Sequence, residues 1–391
     1  MKKIAYILCV YCSASSLAAA QTTTDVLQQI EQNNTLLPAL REQVTAEKIG
    51  NKTGILPQNP EVEFHYLWGN RSETGDRKDF SATQLLDFPT AYYHKKNLAN
   101  SKNRQADLSY QTARNNLLLE AKQNVLTWVY YQKRLTESKA RLTNAEEIEK
   151  AYGAKYNKGD INLLEYNKAK INLLNIRQEV NLLQTEQTQV YADLLRLNGG
   201  KTLALPDSYP LASLPLDMEQ WLADVEFRHA PLRYLQQEIA VNRTEEKLQR
   251  SLNLPKISLG YMSEKVLTEQ FQGLVVGVSV PLWENKNTVR QKKAQTIASQ
   301  AMEYDAQNRL RNETKSLYEK ATQFLQTVIE YRQILQSANN TLLLRKAFDA
   351  GEISLIEYMT ELGTYYETVN YLLETEKNYQ LALAELLRWE L

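Results

Sequence analysis

The sequence predicts a mainly α protein carrying a β-barrel wall, built from one helix–hairpin–long-helix unit used twice. Three observations predict it. The chain repeats itself at an offset of 192 positions: Tyr156-Asn157-Lys158-Gly159-Asp160-Ile161-Asn162-Leu163-Leu164-Glu165-Tyr166 is answered by Phe348-Asp349-Ala350-Gly351-Glu352-Ile353-Ser354-Leu355-Ile356-Glu357-Tyr358. All 10 prolines lie within 38–89 or 206–281, leaving two proline-free stretches of more than 100 residues, 90–205 and 282–391. Between the prolines lie short runs in which apolar and polar residues alternate. A period of this length is far beyond that of a solenoid and points to one duplicated unit.

The repeat holds elsewhere. Ala192-Asp193-Leu194-Leu195-Arg196 pairs with Ala384-Glu385-Leu386-Leu387-Arg388, and Phe88-Pro89 with Val280-Pro281. Near the start of each half the offset drifts to about 195, so that Pro60 to Tyr66 answers Pro255 to Tyr261, which requires a loop of different length.

Residues 1–20 have the form of a cleaved signal peptide: Lys2 and Lys3, an apolar run from Ile4 to Leu17, then Ala18-Ala19-Ala20 before Gln21. Cys12 follows Tyr11, a poor fit to a lipidation signal. Both cysteines, Cys9 and Cys12, fall in this segment, so the mature chain has no disulfide and depends on packing or assembly for stability. Without Lys2 and Lys3 the 46 basic residues become 44 against 46 acidic, a net charge of −2. That balance gives no footprint for nucleic acid.

In the first unit (21–200) a short helix is expected over about 24–53. Strands are expected at about 60–69, where Val62, Phe64, Tyr66 and Trp68 alternate with Glu61, Glu63 and His65, and at about 78–89, where Phe80, Ala82, Leu86 and Phe88 alternate with Asp79, Ser81, Thr83 and Asp87. A long helix follows over about 91–158, roughly 100 Å at 1.5 Å per residue. Its apolar stripe is narrow: Leu117, Ala121, Val125, Trp128 and Val129. Gly159 breaks it, Asp160 suits the start of a new helix, and the return covers about 160–198, roughly 58 Å. A proline-bearing linker occupies 201–216. The second unit (217–391) repeats the order: a short helix over 217–251, strands at about 256–264 and 272–283, and a long helix with Leu317, Ala321, Phe324, Leu325 and Val328 on its stripe. Gly351-Glu352 makes the turn, and a helix returns.

The strands are about ten residues long and one-sided, with aromatics near their ends, as in a transmembrane barrel; a hairpin on a soluble core alternates in the same way. No later run of the sequence is long and apolar enough for a spanning helix, so any crossing of a membrane is by strands. Four strands cannot close a barrel of useful width, and open edges are not tolerated in lipid, so closure needs several chains. The long helices lead to the same place. Their stripes are too narrow to be satisfied within one chain, but ring-packed helices bury them laterally.

The sequence resembles the TolC family of outer-membrane efflux proteins over essentially all of the mature chain. The matches are Asn34-Thr35-Leu36-Leu37-Pro38-Ala39-Leu40, Leu56-Pro57-Gln58-Asn59-Pro60-Glu61-Val62, Gly277-Val278-Ser279-Val280-Pro281-Leu282-Trp283, and above all the two glycine turns. Each motif is weak alone; in order and twice they are specific. The resemblance implies a homotrimer with a 12-strand barrel in outer-membrane lipid, continuing into a long α-helical barrel in the periplasm. It implies an exit duct of a tripartite efflux or type I secretion system, fed by a periplasmic membrane-fusion adaptor and an inner-membrane pump, often of the resistance-nodulation-division type. The turn residues Gly159, Asp160, Ile161, Leu163, Leu164, Gly351, Glu352, Ile353, Leu355 and Ile356 become the periplasmic tips and candidate adaptor contacts. Glu165 and Glu357, six positions after each glycine, and Glu361 become candidate acids of the pore entrance. Thr360 stands where a further acid can stand in the family. The chain is short for the family, which implies trimmed surface segments.

No enzyme signature accompanies this. The three histidines, His65, His94 and His229, lack ligand spacing, and the nucleophile, phosphate-loop and zinc motifs are missing from the sequence. No catalytic residue, cofactor or metal site is expected. A non-conducting exported coiled-coil scaffold or adhesin is the alternative the residues leave open, and the cargo of a channel (metal ions, drugs or polypeptide) is not written in the sequence.

Overall fold

The structure, a computed structural model, describes residues 22–70 and 74–391; the signal-peptide expectation lies outside the described residues. The elements are α1 (Thr23–Asn33), α2 (Leu36–Gly50), β1 (Glu61–Leu67), β2 (Arg77–Leu86), α3 (Pro89–Lys158), α4 (Leu163–Leu197), α5 (Met218–Arg228), α6 (Ala230–Leu252), β3 (Lys256–Val266), β4 (Glu269–Ser279), α7 (Thr288–Ser337), α8 (Thr341–Asp349) and α9 (Leu355–Leu386), with a closing 3-10 turn at Arg388–Glu390. The mainly α class with two hairpins agrees with the sequence reading.

The chain divides into two compact units, and neither is one of the repeats. The first combines residues up to Asn34 with Glu120–Ala212 and Phe324–Leu381; the second combines Thr35–Leu119, Ser213–Gln323 and Ala382–Leu391. Each unit therefore draws on both copies of the duplicated sequence.

In the first unit, α1 is fixed by a capping box, with Thr22 and Asp25 exchanging bonds across the first turn. Leu135, Val180 and Leu183 join α3 to α4, with Tyr131 and Leu142 packed around them. Glu376 of α9 is 6 % exposed. It accepts from Lys133 of α3 at 3.0 Å and from the Arg332 guanidinium of α7, so one sunken carboxylate ties three helices. Both cations keep solvent access, which moderates the desolvation penalty of burying such a group.

The second unit holds the sheet. Its order is β1-β2-β3-β4, antiparallel throughout. Two corrections to the expected strand ends have a common cause. The second strand stops at Leu86 and the fourth at Ser279. Pro89 instead opens α3, at a helix position where its missing N–H is harmless, and Pro281 cannot donate to a ladder. The β3–β4 turn is two residues long, and Leu267 takes φ +52° there. On β3, a Cβ at Gly260 would come within 2.7 Å of the Ala82 carbonyl oxygen, so only glycine lets β2 and β3 approach at this point.

Both short helices are broken, at equivalent places. α1 and α2 part at Asn34, and α5 and α6 at His229, each with an extended backbone at the break. The two positions are 195 apart, the drifted offset of the repeat. Asn34 is buried and donates from Nδ2 to the Leu197 carbonyl at 2.8 Å. The His229 ring meets Trp389 at 4.1 Å between centroids, with the planes tilted by 58°, and its Nδ1 accepts from the Leu232 N–H at 3.0 Å. Leu197 and Trp389 are themselves 192 apart. Each break is thus locked onto the end of the returning helix of its own repeat.

The His229 imidazole must be neutral to cap α6. Burial and the nearby Arg388 push its pKa down to about 4. The folded pKa lies below the ordinary value of 6.5, so the cap's contribution is complete above about pH 6.5 and is lost as pH falls towards 4. His229→Asn, which can cap without titrating, is expected to flatten the pH dependence of thermal stability between pH 6.5 and 4. A slope identical to the wild type would remove His229 from the account.

The long helices differ. α3 is unbroken over 70 residues. Its counterpart is expected to be continuous as well, but it breaks at Ala338–Asn340 into α7 and the 9-residue α8. Asn339 and Asn340 are poor interior helix residues, and the Asn339 Oδ1 accepts from the Thr341 N–H and hydroxyl, an alternative to the helical ladder. Repeat one has Glu147 and Ile148 in the equivalent positions and stays helical.

Candidate functional site: a one-sided sheet and two helix-hairpin tips

The strand register decides what the sheet can do. Cross-strand partners line up in rows: Phe64, Phe80, Ser263 and Gln272; then Val62, Ala82, Tyr261 and Leu274; then Gln84, Leu259 and Val276; then Leu86, Ile257 and Val278. Because side chains alternate across a strand, these rows share one face, and it is overwhelmingly apolar. That face is bare in the single chain: Phe64 is 64 % exposed, Leu274 86 % and Val276 70 %. The opposite face is mixed: Glu61, Glu63, His65, Arg77, Asp79, Ser81, Thr83 and Glu264 stand there beside Gly260 and Gly273, with Leu67, Met262, Phe271 and Val275 among them. Arg77 bridges Asp79 at 2.9 Å and Glu264 at 3.2 Å there. β1 and β4 are edge strands with no further neighbour among the described residues.

The tips lie in the first unit. At the end of α3, Gly159 has φ +83°; its N–H donates to the Tyr156 carbonyl and that of Asp160 to the Lys155 carbonyl. At the end of α8, Gly351 has φ +75°, and the same two bonds run from Gly351 to Phe348 and from Glu352 to Ala347. Both are Schellman turns, in which glycine is required because a Cβ resists the left-handed conformation. The helices then restart on side-chain caps: the Asn162 Oδ1 accepts from the Glu165 N–H at 3.0 Å, and the Ser354 Oγ from the Glu357 N–H at 3.2 Å.

The structure sorts the expected contact residues. Leu163, Leu164 and Ile356 are exposed, at 52 %, 72 % and 51 %. Leu355 is buried with Ile148, Tyr152, Ala169, Tyr358 and Leu362, and Ile161 and Ile353 pack against that cluster. Asp160 and Glu352 are exposed on the turns. Of the three acids, Glu165 is half-buried, while Glu357 and Glu361 are exposed one helical turn apart on α9. Glu357 completes a capping box by accepting from the Ser354 N–H at 2.8 Å. That bond and the Ser354 hydroxyl hold its carboxyl below the ordinary glutamate value.

Sequence reasoning missed the aromatic seam that joins the two tips. Tyr152 of α3 stacks on Phe348 of α8, with centroids at 6.2 Å and planes 4° apart, and Phe348 stacks on Tyr358 of α9 at 4.5 Å. Tyr156 and Tyr166 form the equivalent pair in the first repeat, at 5.4 Å. The 192 offset superimposes Tyr156 on Phe348 and Tyr166 on Tyr358, so the signal was present.

Among the described residues no helix is long and apolar enough to cross a membrane, and no group of three His, Cys, Asp or Glu could hold a metal ion. Solved structures share this architecture. A membrane protein from Pseudomonas aeruginosa superimposes with a TM-score of 0.79 at 15 % identity, over 94 % of this chain and 92 % of that one. The Campylobacter jejuni CmeC outer membrane channel gives 0.77 at 13 % identity, over 100 % and 93 %. The open state of the Neisseria gonorrhoeae MtrE outer membrane channel gives 0.76 at 12 %, over 94 % and 88 %. This chain has the TolC-type outer-membrane-channel fold. The agreement spans nearly the whole of each channel chain, so the channel fold includes both the sheet and the tips. No family profile and no curated protein sequence matches the chain.

Proposed function

We propose that this chain is the outer-membrane channel subunit of a tripartite efflux or type I secretion system. It is a passive exit duct of the TolC family, loaded by an inner-membrane pump through a periplasmic adaptor. The observation that carries the proposal is the one-sided sheet with two open edges. A bare apolar face flanked by unpaired strands is unstable in water, and in lipid only a closed barrel satisfies the edge hydrogen bonds. An even number of antiparallel strands per chain lets β1 of one copy meet β4 of the next without breaking alternation. Two copies give eight strands, whose interior is filled by side chains; three give twelve, enough to leave a lumen. Exposed apolar residues on the helices, such as Ile171, Leu174 and Leu182 on α4 and Ile297 and Met302 on α7, supply surface for lateral packing of copies.

In this reading residues 1–20 are an export signal, 21–200 and 217–391 are the two repeats, and 201–216 is the linker. Leu163, Leu164 and Ile356 are the adaptor-facing residues; Leu355 holds the tip together from within. Negative-stain microscopy of the detergent-extracted protein tests the assembly: hollow threefold particles are expected, and a detergent-independent solid rod would replace the channel with a scaffold. Glu165, Glu357 and Glu361 form the entrance acids, and rings of carboxylates favour cations. Glu357→Gln removes charge while keeping a cap acceptor, so reduced cation selectivity in planar bilayers is expected. Unchanged selectivity and conductance would take Glu357 out of the pore.

A further inference from the structure

The apolar face of the sheet ends in a row of different character. Beyond Phe64 and Phe80 come Tyr66, Lys78, Lys265 and Gln270, in register across all four strands and on the same face. Lys78 and Lys265 are direct cross-strand partners, and both are exposed. Like charges directly opposite on neighbouring strands destabilise a sheet, and among the described residues no carboxylate forms an ion pair with either lysine. Asp79 and Glu264 lie on the other face, committed to Arg77. Asp76, at the start of the strand edge, is held by the Tyr66 hydroxyl. Among the described residues neither lysine has a carboxylate partner; the Lys78 ammonium sits 5.4 Å over the Tyr66 ring. Tyr66 in turn meets Trp68 edge to face at 5.7 Å, and Trp68 is 82 % exposed.

The row stands at one end of the sheet. Leu86 to Lys78 is eight residues, about 27 Å along the strand. Tilted by 35–45° this is about 20 Å of height, close to the ~25 Å apolar band of a barrel. The helices leave from the Leu86 end of the sheet, and the hairpin turns lie at the lysine end. If the sheet is a barrel wall with its helices in the periplasm, the lysines stand at the outer rim, level with lipid headgroups and beside an aromatic girdle.

We propose that Lys78 and Lys265 form a clasp for the phosphate of an anionic lipid headgroup in the outer leaflet, its chains lying on Phe64, Phe80 and Tyr261 below. One phosphate between the two ammonium groups converts their repulsion into attraction. The inference rests on the barrel reading.

The test uses the full chain in neutral detergent, titrated with short-chain phosphatidylglycerol, phosphatidylcholine or inorganic phosphate, with bound adducts counted by native mass spectrometry. Phosphatidylglycerol is expected to bind preferentially, with a loss of about fivefold for Lys78→Gln or Lys265→Gln and about 25-fold for the double variant. Inorganic phosphate should neither bind measurably nor compete. Equal binding of the two lipids, a double variant that binds as the wild type, or displacement of lipid by inorganic phosphate would each overturn the clasp. Conductance of the wild type in planar bilayers is measured in parallel. A conducting protein without lipid preference refutes the lysines alone, whereas failure to insert refutes the barrel beneath them.

Discussion

Val276→Arg is expected to abolish membrane insertion. Val276 sits in the middle of β4, 70 % exposed, on the apolar face between Leu274 and Val278. An arginine at the midplane of a barrel wall costs about 2–4 kcal/mol per subunit, and a threefold assembly incurs it three times. The chain should still fold its helices, because nothing in the single chain packs over Val276. It should remain in the soluble fraction or aggregate, and give no conductance. Glu63→Arg is the control: it is equally exposed to change but on the opposite face of the sheet, and it should insert normally while shifting ion selectivity towards anions. Normal insertion of Val276→Arg would mean that this face does not meet lipid.

The second large effect is expected at the tips. Tyr358 is 2 % exposed and lies at the end of the stack that runs from Tyr152 through Phe348. Truncating a buried aromatic side chain to alanine costs about 3–5 kcal/mol. Three elements lose their shared anchor: α3, α8 and α9. Tyr358→Ala should therefore loosen the tips selectively, seen as faster amide exchange around Leu344–Leu362 with the sheet unaffected, and as a leakier channel in bilayers. Tyr358→Phe keeps the ring and gives up a 3.4 Å bond from Asn144 and the hydroxyl's hydrogen bond with Arg345, so it should cost less than the alanine variant and leave the stack in place. Equal exchange in the alanine variant and the wild type would show that the seam does not hold the tips.

Much of this molecule is written in local signals. Proline marks the hairpins because it cannot continue a helix or a central ladder, and glycine marks the tips because Gly159 and Gly351 take the left-handed backbone that ends each helix there. Alternation at Val62, Phe64 and Tyr66 fixes which side of the sheet is apolar. The break at Asn34 was less legible. Asn33, Asn34 and Thr35 are weak helix formers, as Asn339, Asn340 and Thr341 are, but what holds the break open is a side-chain bond to Leu197, 163 positions away. The same holds for His229 and Trp389. The interruption at Asn339-Asn340 carried a local signal, but one weak enough for a long apolar stripe to hide.

By itself the sequence determined the duplication, the order of elements, the two turns and the one-sidedness of the strands, because each depends on residues close together in the chain. Only the tertiary structure decided the strand order, the way each compact unit mixes the two repeats, and which tip residues are buried. It also decided that Lys78 faces Lys265. These depend on which distant segments meet, and a pattern of period 2 or 3.6 describes a face without naming what that face will touch.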